Sequence, residues 1–285
     1  MDIIKEALKE DFAKQDVTTN VLIPAGRVSE AFAVAKQDGV ICGTEIFKKV
    51  FKELDPGAVI TIFIKDGKRV KPGQKVAKVR AKTRAVLSGE RTALNFIQHL
   101  SGIATMTTAY ARALAGSKTK VYDTRKTIPG LRELEKYAVR CGGGVNHRLN
   151  LREMAMIKDN HLLEVKDLSE AVLSIKKKYR GIRVEVECED ITGVNKAVDA
   201  GADIIMFDNM GASTIKEAIA FIKHSKRNIE TEISGGINLS TIAKYKNLGA
   251  DRISVGAITH SAPALDISLD IVKTSDPGYW MLDAR

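Results

Sequence analysis

No Cys-X-X-Cys pair occurs in these 285 residues, and the three cysteines, Cys42, Cys141 and Cys188, stand far apart. That spacing excludes a disulfide-stapled fold and a zinc site built on paired thiolates, and it suits a reducing cytoplasm. Long apolar runs are also missing. Charge interrupts each within a few residues, so no stretch is long enough to span a bilayer. The first residues, MDIIKEALKEDF, carry acids where a secretory signal needs a basic start, and they predict a short amphipathic helix. There is no RGG run, basic arm or zinc finger, so the expectation is no nucleic-acid partner and no membrane.

What is present is a positive balance: 45 Lys and Arg against 35 Asp and Glu, a net charge of +10. Such a balance favours anionic partners, including phosphorylated small molecules. The lysine run Lys176–Lys178 is expected on a solvated helix face. Residues from about 31 to 84 alternate in short runs with Asp-Gly and Pro-Gly turns. "RVKPGQKVAKV" resembles the hairpin of a biotinyl or lipoyl carrier but lacks the lysine at a tight turn, which favours a small α/β sandwich.

After a long helical stretch, "SGERTALNFIQHLSGIATMTTAYARAL", strand-like runs alternate with amphipathic helices. The strands are expected at 121–123, 154–158, 184–188, 203–208, 231–234 and 252–256. Leu131, Leu134, Ala138 and Cys141 share one predicted helix face, and Leu168, Ala171, Val172, Ile175 and Tyr179 another. Asp167 and Glu170 form a capping box for the second. This alternation predicts a parallel sheet. The repeated Gly-Ala-Asp at two helix-to-strand returns, with no GxGxxG after the first strand, favours a (β/α) barrel over an open dinucleotide-binding sheet.

Charges inside such strands are costly unless paired or functional. Glu185 and Glu187 share one face of "VEVEC", and Glu232 and Ser234 share a face of "TEIS". For Glu185 and Glu232 two readings stay open, a structural ion pair with a buried lysine or a functional role. Lys158, Glu187, Asp208 and Ser234 fall at C-terminal strand ends, where barrel enzymes assemble their sites. The loops "SGGI" and "VGAI" offer close backbone approach and a following helix N-terminus to an anion. Arg125 and Lys126 of "DTRKTIPG", with His147 and Arg148 of "GGGVNHR", bring cations to the same rim. Tyr137 and His161 are candidates for the mouth or for packing.

"ERTALNFIQHLSGIAT", "DTRKTIPGLRELEKYAVRCGGGVNHRLNL", "MIKDNH", "VEVE", "FDN", "SGGI" and "VGAITHSAPALDISL" together resemble the quinolinate phosphoribosyltransferase family through nearly the whole chain. The resemblance implies an α/β fold: an irregular (β/α) barrel at 116–265 and a hammerhead-like α/β sandwich at 1–115, with a C-terminal helix over about 266–285 packing back on the latter. It implies transfer of phosphoribosyl from phosphoribosyl pyrophosphate to quinolinate with loss of CO2, in NAD biosynthesis. It also implies a cytoplasmic homodimer with shared active sites, hexamers being left open.

In that scheme Arg91 enters the neighbouring subunit's site. Arg125, His147, Arg148 and Lys158 hold the two carboxylates of quinolinate, with Arg91 completing the cage. Thr124 is a further substrate-binding residue, and Lys126, Glu187 and Asp208 serve ribose, pyrophosphate and metal as the catalytic set. Ser234, Gly235, Gly236, Gly256 and Ala257 cradle the 5-phosphate. The implied cofactor is Mg2+, held mainly through phosphoribosyl pyrophosphate, with Glu187 and Asp208 as candidate protein ligands. Nicotinate phosphoribosyltransferase is the nearest alternative, and the density of cations favours the dicarboxylate. Where the family often has glycines before "DVTT", this chain has "DFAKQDVTT".

Overall fold

The computed structural model describes residues 2–272, and its chain divides into two compact units. One comprises residues up to Thr105 and those from Pro263 on; the other runs from Met106 to Ala262. The boundary falls inside a helix rather than near residue 115, where the sequence placed it.

The first unit opens with α1 (Ile3–Glu10), capped by Asp2, whose carboxylate accepts the Ile4 amide. A 3-10 turn at Ala13–Gln15 leads to α2 (Val17–Leu22), capped by Asp16. Phe12 precedes that turn at φ 48°, a left-handed conformation natural to glycine. The turn survives here without the family's glycines, at the expense of backbone strain. Then follow β1 (Val28–Ala35), β2 (Gly39–Val40), α3 (Thr44–Leu54), β3 (Val59–Ile62), β4 (Arg69–Val70), β5 (Lys75–Lys82) and α4 (Thr83–Ala113).

The main sheet is antiparallel, and β1 buries every second residue, Ser29, Ala31, Ala33 and Ala35. Phe47, Phe51, Ile97 and Leu100 supply the apolar face of α3 and α4. β2 and β4 form a separate two-stranded ribbon.

The second unit contains the end of α4, β6 (Lys120–Tyr122), α5 (Arg132–Cys141), β7 (Ala155–Ile157), α6 (Asp159–Glu164), α7 (Leu168–Lys178), β8 (Val184–Cys188), α8 (Ile191–Asp199), β9 (Ile204–Asp208), α9 (Ala212–His224), β10 (Glu230–Ser234), β11 (Arg252–Ser254) and α10 (Ala257–His260). All six expected strands are present. They pair in parallel in the order β6-β11-β10-β9-β8-β7. Between β6 and β7 the ring is irregular. A single bridge joins Tyr122 to Val145, and the Arg148 guanidinium donates to the Met154 carbonyl at 2.8 Å.

Two helix faces differ from the pattern. α5 buries Glu135 and Lys136 beside Ala138 and Val139, while Leu131, Leu134 and Cys141 are half-buried. Hydrophobic periodicity cannot find that face because Lys136 is admitted by its partner, Asp123. On α7, Val172 is buried but Tyr179 is exposed. Lys176 is not a solvated cation: it donates to Asp203 and to the Gly201 carbonyl, both at 2.8 Å.

The segment expected to begin a C-terminal helix forms β12 (Ile267–Ile271), antiparallel to β1 at the edge of the first unit's main sheet, whose order is β12-β1-β5-β3. Ile267 and Leu269 are buried and Asp270 exposed, a period of two that the sequence already carried. The remainder of that expected helix, 273–285, lies outside the described residues. Gln98 and Leu265 tie this return to α4 through two backbone-directed bonds.

Gly102 allows the approach: a Cβ there would lie 2.1 Å from the Pro263 carbonyl oxygen. Gly102→Ala is therefore expected to destabilise the protein by about 1–3 kcal/mol, the range for overpacking. Urea unfolding against wild type reads this directly, and equal midpoints would refute it.

Candidate active site

A cavity of about 810 Å3 opens at the C-terminal ends of the parallel strands. Every site residue the sequence assigned to the barrel lines it, from Thr124 on the loop after β6 to Ala257 at the start of α10. Arg91 belongs to the other unit, exposed on α4. The sequence reading missed Met156, Met206, Asn209, Ser254 and His260 in the wall and gave Glu232 no place there. Asn209 and His260 lay inside the recognised stretches "FDN" and "VGAITHSAPALDISL", so their signal was available. Tyr137 and His161 are not among the lining residues; His161 Nδ1 instead accepts the Lys158 amide at the start of α6.

One acid organises the cationic side. Asp123 is fully buried at the end of β6 and accepts from Lys136 Nζ at 2.5 Å, Asn146 Nδ2 at 2.6 Å and the His147 amide at 2.7 Å. Burial raises the Asp123 carboxyl and lowers the Lys136 amine, and their mutual attraction opposes both shifts. This network seats the 146–148 loop beside β6, which places His147 and Arg148 next to Arg125. Burial, then the neighbouring Arg125 charge, pulls Arg148 below the ordinary arginine range. Arg125 Nε is buried without a hydrogen-bond partner. Two adjacent guanidinium groups with unused donors call for an anion, and a carboxylate matches their planar geometry. Lys158 completes this side and holds Glu187 at 2.7 Å.

The opposite side is backbone. Gly235 and Gly236 follow β10 at φ 90° and 60°. A Cβ on Gly235 would sit 2.3 Å from Asn209 Oδ1, so the turn needs glycine twice over. Gly256 lets the Lys126 stem pass, since a Cβ would stand 3.0 Å from Lys126 Cδ. Thr259 Oγ1 donates to the Lys126 carbonyl at 2.7 Å and fixes that loop. The helix expected directly after "SGGI" is absent: a 3-10 turn begins only at Ile242, so this cradle is loop backbone rather than a helix terminus.

Beneath the cationic side, the His147 Nε2 lies 3.2 Å from Glu185 and 3.4 Å from Glu232, all three buried. Among the described residues, no buried lysine pairs with these acids. Their partners are His147 and Arg252, whose Nη1 stands 3.7 Å from Glu232 and whose Nη2 pairs with Glu230. Burial, then the Glu185 charge, raises Glu232 to about 7. For His147, burial favours the neutral ring, but the two carboxylates outweigh it and raise the group to about 9. Both shifts describe one extra proton kept within a coupled cluster near neutral pH. An imidazolium would need a proton on Nδ1, whereas Nδ1 accepts the Arg148 amide at 2.8 Å. That backbone contact keeps Nδ1 bare and places the shared proton on Glu232.

The fold and this site define a barrel enzyme whose cavity carries adjacent arginines at one end and glycine-lined loops at the other. The comparisons agree with that class. Residues 16–101 match the family described as quinolinate phosphoribosyl transferase, N-terminal domain, and residues 103–270 match its C-terminal domain. The chain is 42% identical over 268 residues to a probable nicotinate-nucleotide pyrophosphorylase [carboxylating] of Bacillus subtilis, covering 94% of this chain and 91% of that protein. It is 39% identical to the nicotinate-nucleotide pyrophosphorylase [carboxylating] of Mycobacterium leprae, covering 95% and 96%. The crystal structure of NadC from Streptococcus pyogenes superposes with a TM-score of 0.90 at 41% identity, covering 95% of each chain. This chain belongs to the quinolinate phosphoribosyltransferase family.

The buried cluster makes stability depend on pH. Both folded-state values are raised, His147 from 6.5 to about 9 and Glu232 from 4.5 to about 7. Stability from a raised group is present below its unfolded value and lost as pH climbs through the folded one. With His147 Nδ1 bare, the titrating member is Glu232, so resistance to urea is expected to fall between pH 4.5 and about 7, and to fall less in Glu232→Gln. Parallel pH series for the two proteins would sink this if the curves had the same slope.

Proposed function

We propose that the chain transfers the phosphoribosyl group of phosphoribosyl pyrophosphate to quinolinate, releasing pyrophosphate and CO2 and forming nicotinate mononucleotide for NAD biosynthesis. The observation that carries this reading is one cavity with two anion sites of different chemistry. Arg125, Arg148 and Lys158 face it from one side, and the Ser234–Gly236 and Gly256–Ala257 backbone faces it from the other. A dicarboxylate ring suits the first and a 5-phosphate the second. Thr124 supports the cationic loop by accepting the Lys126 amide at 3.0 Å.

The pyridine nitrogen is itself the nucleophile, so no general base is needed at the ribose. What this chain supplies is position and charge. Glu187 and Asp208, at adjacent strand ends, face the developing oxocarbenium centre and stabilise it. Lys126 serves the pyrophosphate as it departs. Lys158 bonds both Glu187 and the ring carboxylate, which links the two halves of the site. After transfer the ring nitrogen is cationic, and it stabilises the carbanion left when the adjacent carboxylate departs as CO2, the electron pair then taking a proton from water to give the C–H bond of the product.

The donor set fits Mg2+ as a cofactor. Glu187 spends one carboxylate oxygen on Lys158 and Asp208 one on Asn209, leaving each an oxygen. Neither belongs to a three-ligand cluster among the described residues. Such a pair would share the ion with substrate oxygens and water. Mg2+ supplies charge neutralisation for the leaving pyrophosphate.

A cytoplasmic homodimer follows in this reading, with Arg91 of each copy completing the other copy's quinolinate cage. An exposed arginine on α4 supports that role, and the wide spacing of the three cysteines, with no paired Cys-X-X-Cys, suits the compartment. No described helix is long and apolar enough to cross a membrane.

Incubation with phosphoribosyl pyrophosphate, Mg2+ and either quinolinate or nicotinate is expected to yield mononucleotide and CO2 from quinolinate alone. Product from nicotinate alone would overturn the substrate, and silence with both would overturn the activity. Mixing Arg91→Ala with Lys158→Ala subunits is expected to restore part of the activity through hybrid dimers holding one intact site. No recovery after verified subunit exchange would remove Arg91 from the shared site.

A further inference from the structure

Three polar groups of His147 are hydrogen-bonded within the barrel unit, and the fourth, Nε2, is buried against two carboxylates without a hydrogen bond. Its amide donates to Asp123 and its carbonyl accepts Lys136 Nζ at 2.8 Å. Nδ1 accepts the Arg148 amide, and Nε2 faces Glu185 and Glu232. Nε2 is sealed from solvent. The ring lines the cavity, but neither nitrogen is left for a substrate carboxylate. The quinolinate contact expected of His147 is therefore not one this geometry offers.

We propose that Glu185 and Glu232, acting through His147, are positioning residues of the dicarboxylate pocket: they hold the imidazole, the imidazole holds the Arg148 backbone, and the Arg148 guanidinium is thereby aimed at the ligand. The proposal rests on the quinolinate reading above.

Two features separate it from an incidental buried ion cluster. All four carboxylate oxygens of Glu185 and Glu232 are buried and make no hydrogen bond of good geometry, an arrangement that is costly without a role. The cost also falls where it does most harm, because negative charge under an anion pocket opposes the ligand by Coulomb's law. The shared proton on Glu232 and the nearby Arg252 reduce that opposition while leaving the acceptors that face Nε2. A metal ion would find His147, Glu185 and Glu232 ligand atoms within 4.8 Å of one another. The Arg252 guanidinium already occupies the cationic position beside Glu232.

The sign of one substitution decides the matter. Glu185→Gln removes negative charge from below the pocket together with one of the two carboxylates that face Nε2, so electrostatics alone would lower KM for quinolinate. Positioning requires the opposite: KM for quinolinate rises by about tenfold or more while KM for phosphoribosyl pyrophosphate stays within about twofold, because only one subsite loses alignment. An unchanged or lowered KM for quinolinate overturns the proposal.

A second measurement needs no variant. Nitrogen-15 shifts of the wild-type His147 ring should show a protonated Nε2 and a bare Nδ1 at about pH 7.5. Protonation of both nitrogens leaves the Arg148 amide without its acceptor and refutes the coupling. Turnover of quinolinate by the wild type in the same assay tests the underlying reading separately. If that turnover is absent, the quinolinate reading fails, and the ring shifts still decide the coupling.

Discussion

Asp123 bears the geometry of the whole mouth. A carboxylate buried at a strand end must find donors, and three converge on it: the Lys136 amine, the Asn146 amide and the His147 backbone. One comes from α5 and two from the loop after it, so satisfying one acid ties β6, α5 and that loop into a single unit. Losing either partner of such a buried pair typically costs about 3–5 kcal/mol, because the charge left behind has nowhere to go. That penalty makes the arrangement specific. With it in place, Arg125 and Arg148 stand side by side at one end of the cavity despite their repulsion.

A second layer of charge lies under the first. Glu185 and Glu232 point inward from β8 and β10, on either side of β9, His147 sits between them, and Arg252 braces Glu232 from β11 while pairing with Glu230. Viewed through the sheet, charge alternates: cations at the mouth, carboxylates below, a guanidinium behind. Alternation of this kind lets a barrel interior hold many ionisable groups, since opposite charges in successive layers attract. It also couples the layers, so the state of the lower one bears on how the upper one is aimed.

The strand ends were legible because a charged residue at the end of an apolar run is conspicuous. Lys158, Glu187, Asp208 and Ser234 announce themselves in that way, and so do the glycine pairs. The walls were less legible. Met156 and Met206 look like any core methionine, and Asn209 looks like a turn residue until its left-handed backbone (φ 53°) is seen packed against Gly235. The face of α5 misled for a related reason. Periodicity assigns lysine to solvent, and only a buried partner thirteen positions earlier in the chain, Asp123, brings Lys136 inside. The strand at Ile267–Ile271 was missed although its alternation was written in the residues, because an edge strand declares itself by its partner, β1.

The sequence by itself determined the alternation of strand and helix, the division into two units, the cations, acids and glycines of the site, and the family they resemble. Those properties are local: hydrophobic period, turn chemistry and residue type are carried by neighbours along the chain. Tertiary structure alone decided which charges face each other. His147 is a candidate substrate ligand in the sequence and an internally engaged hinge in the fold. Glu185 and Glu232 find an imidazole and a guanidinium where a lysine was expected. The reason is that pairing inside a parallel barrel joins residues tens of positions apart, and the energy of a buried charge is set by the one group that stands within a few ångströms of it.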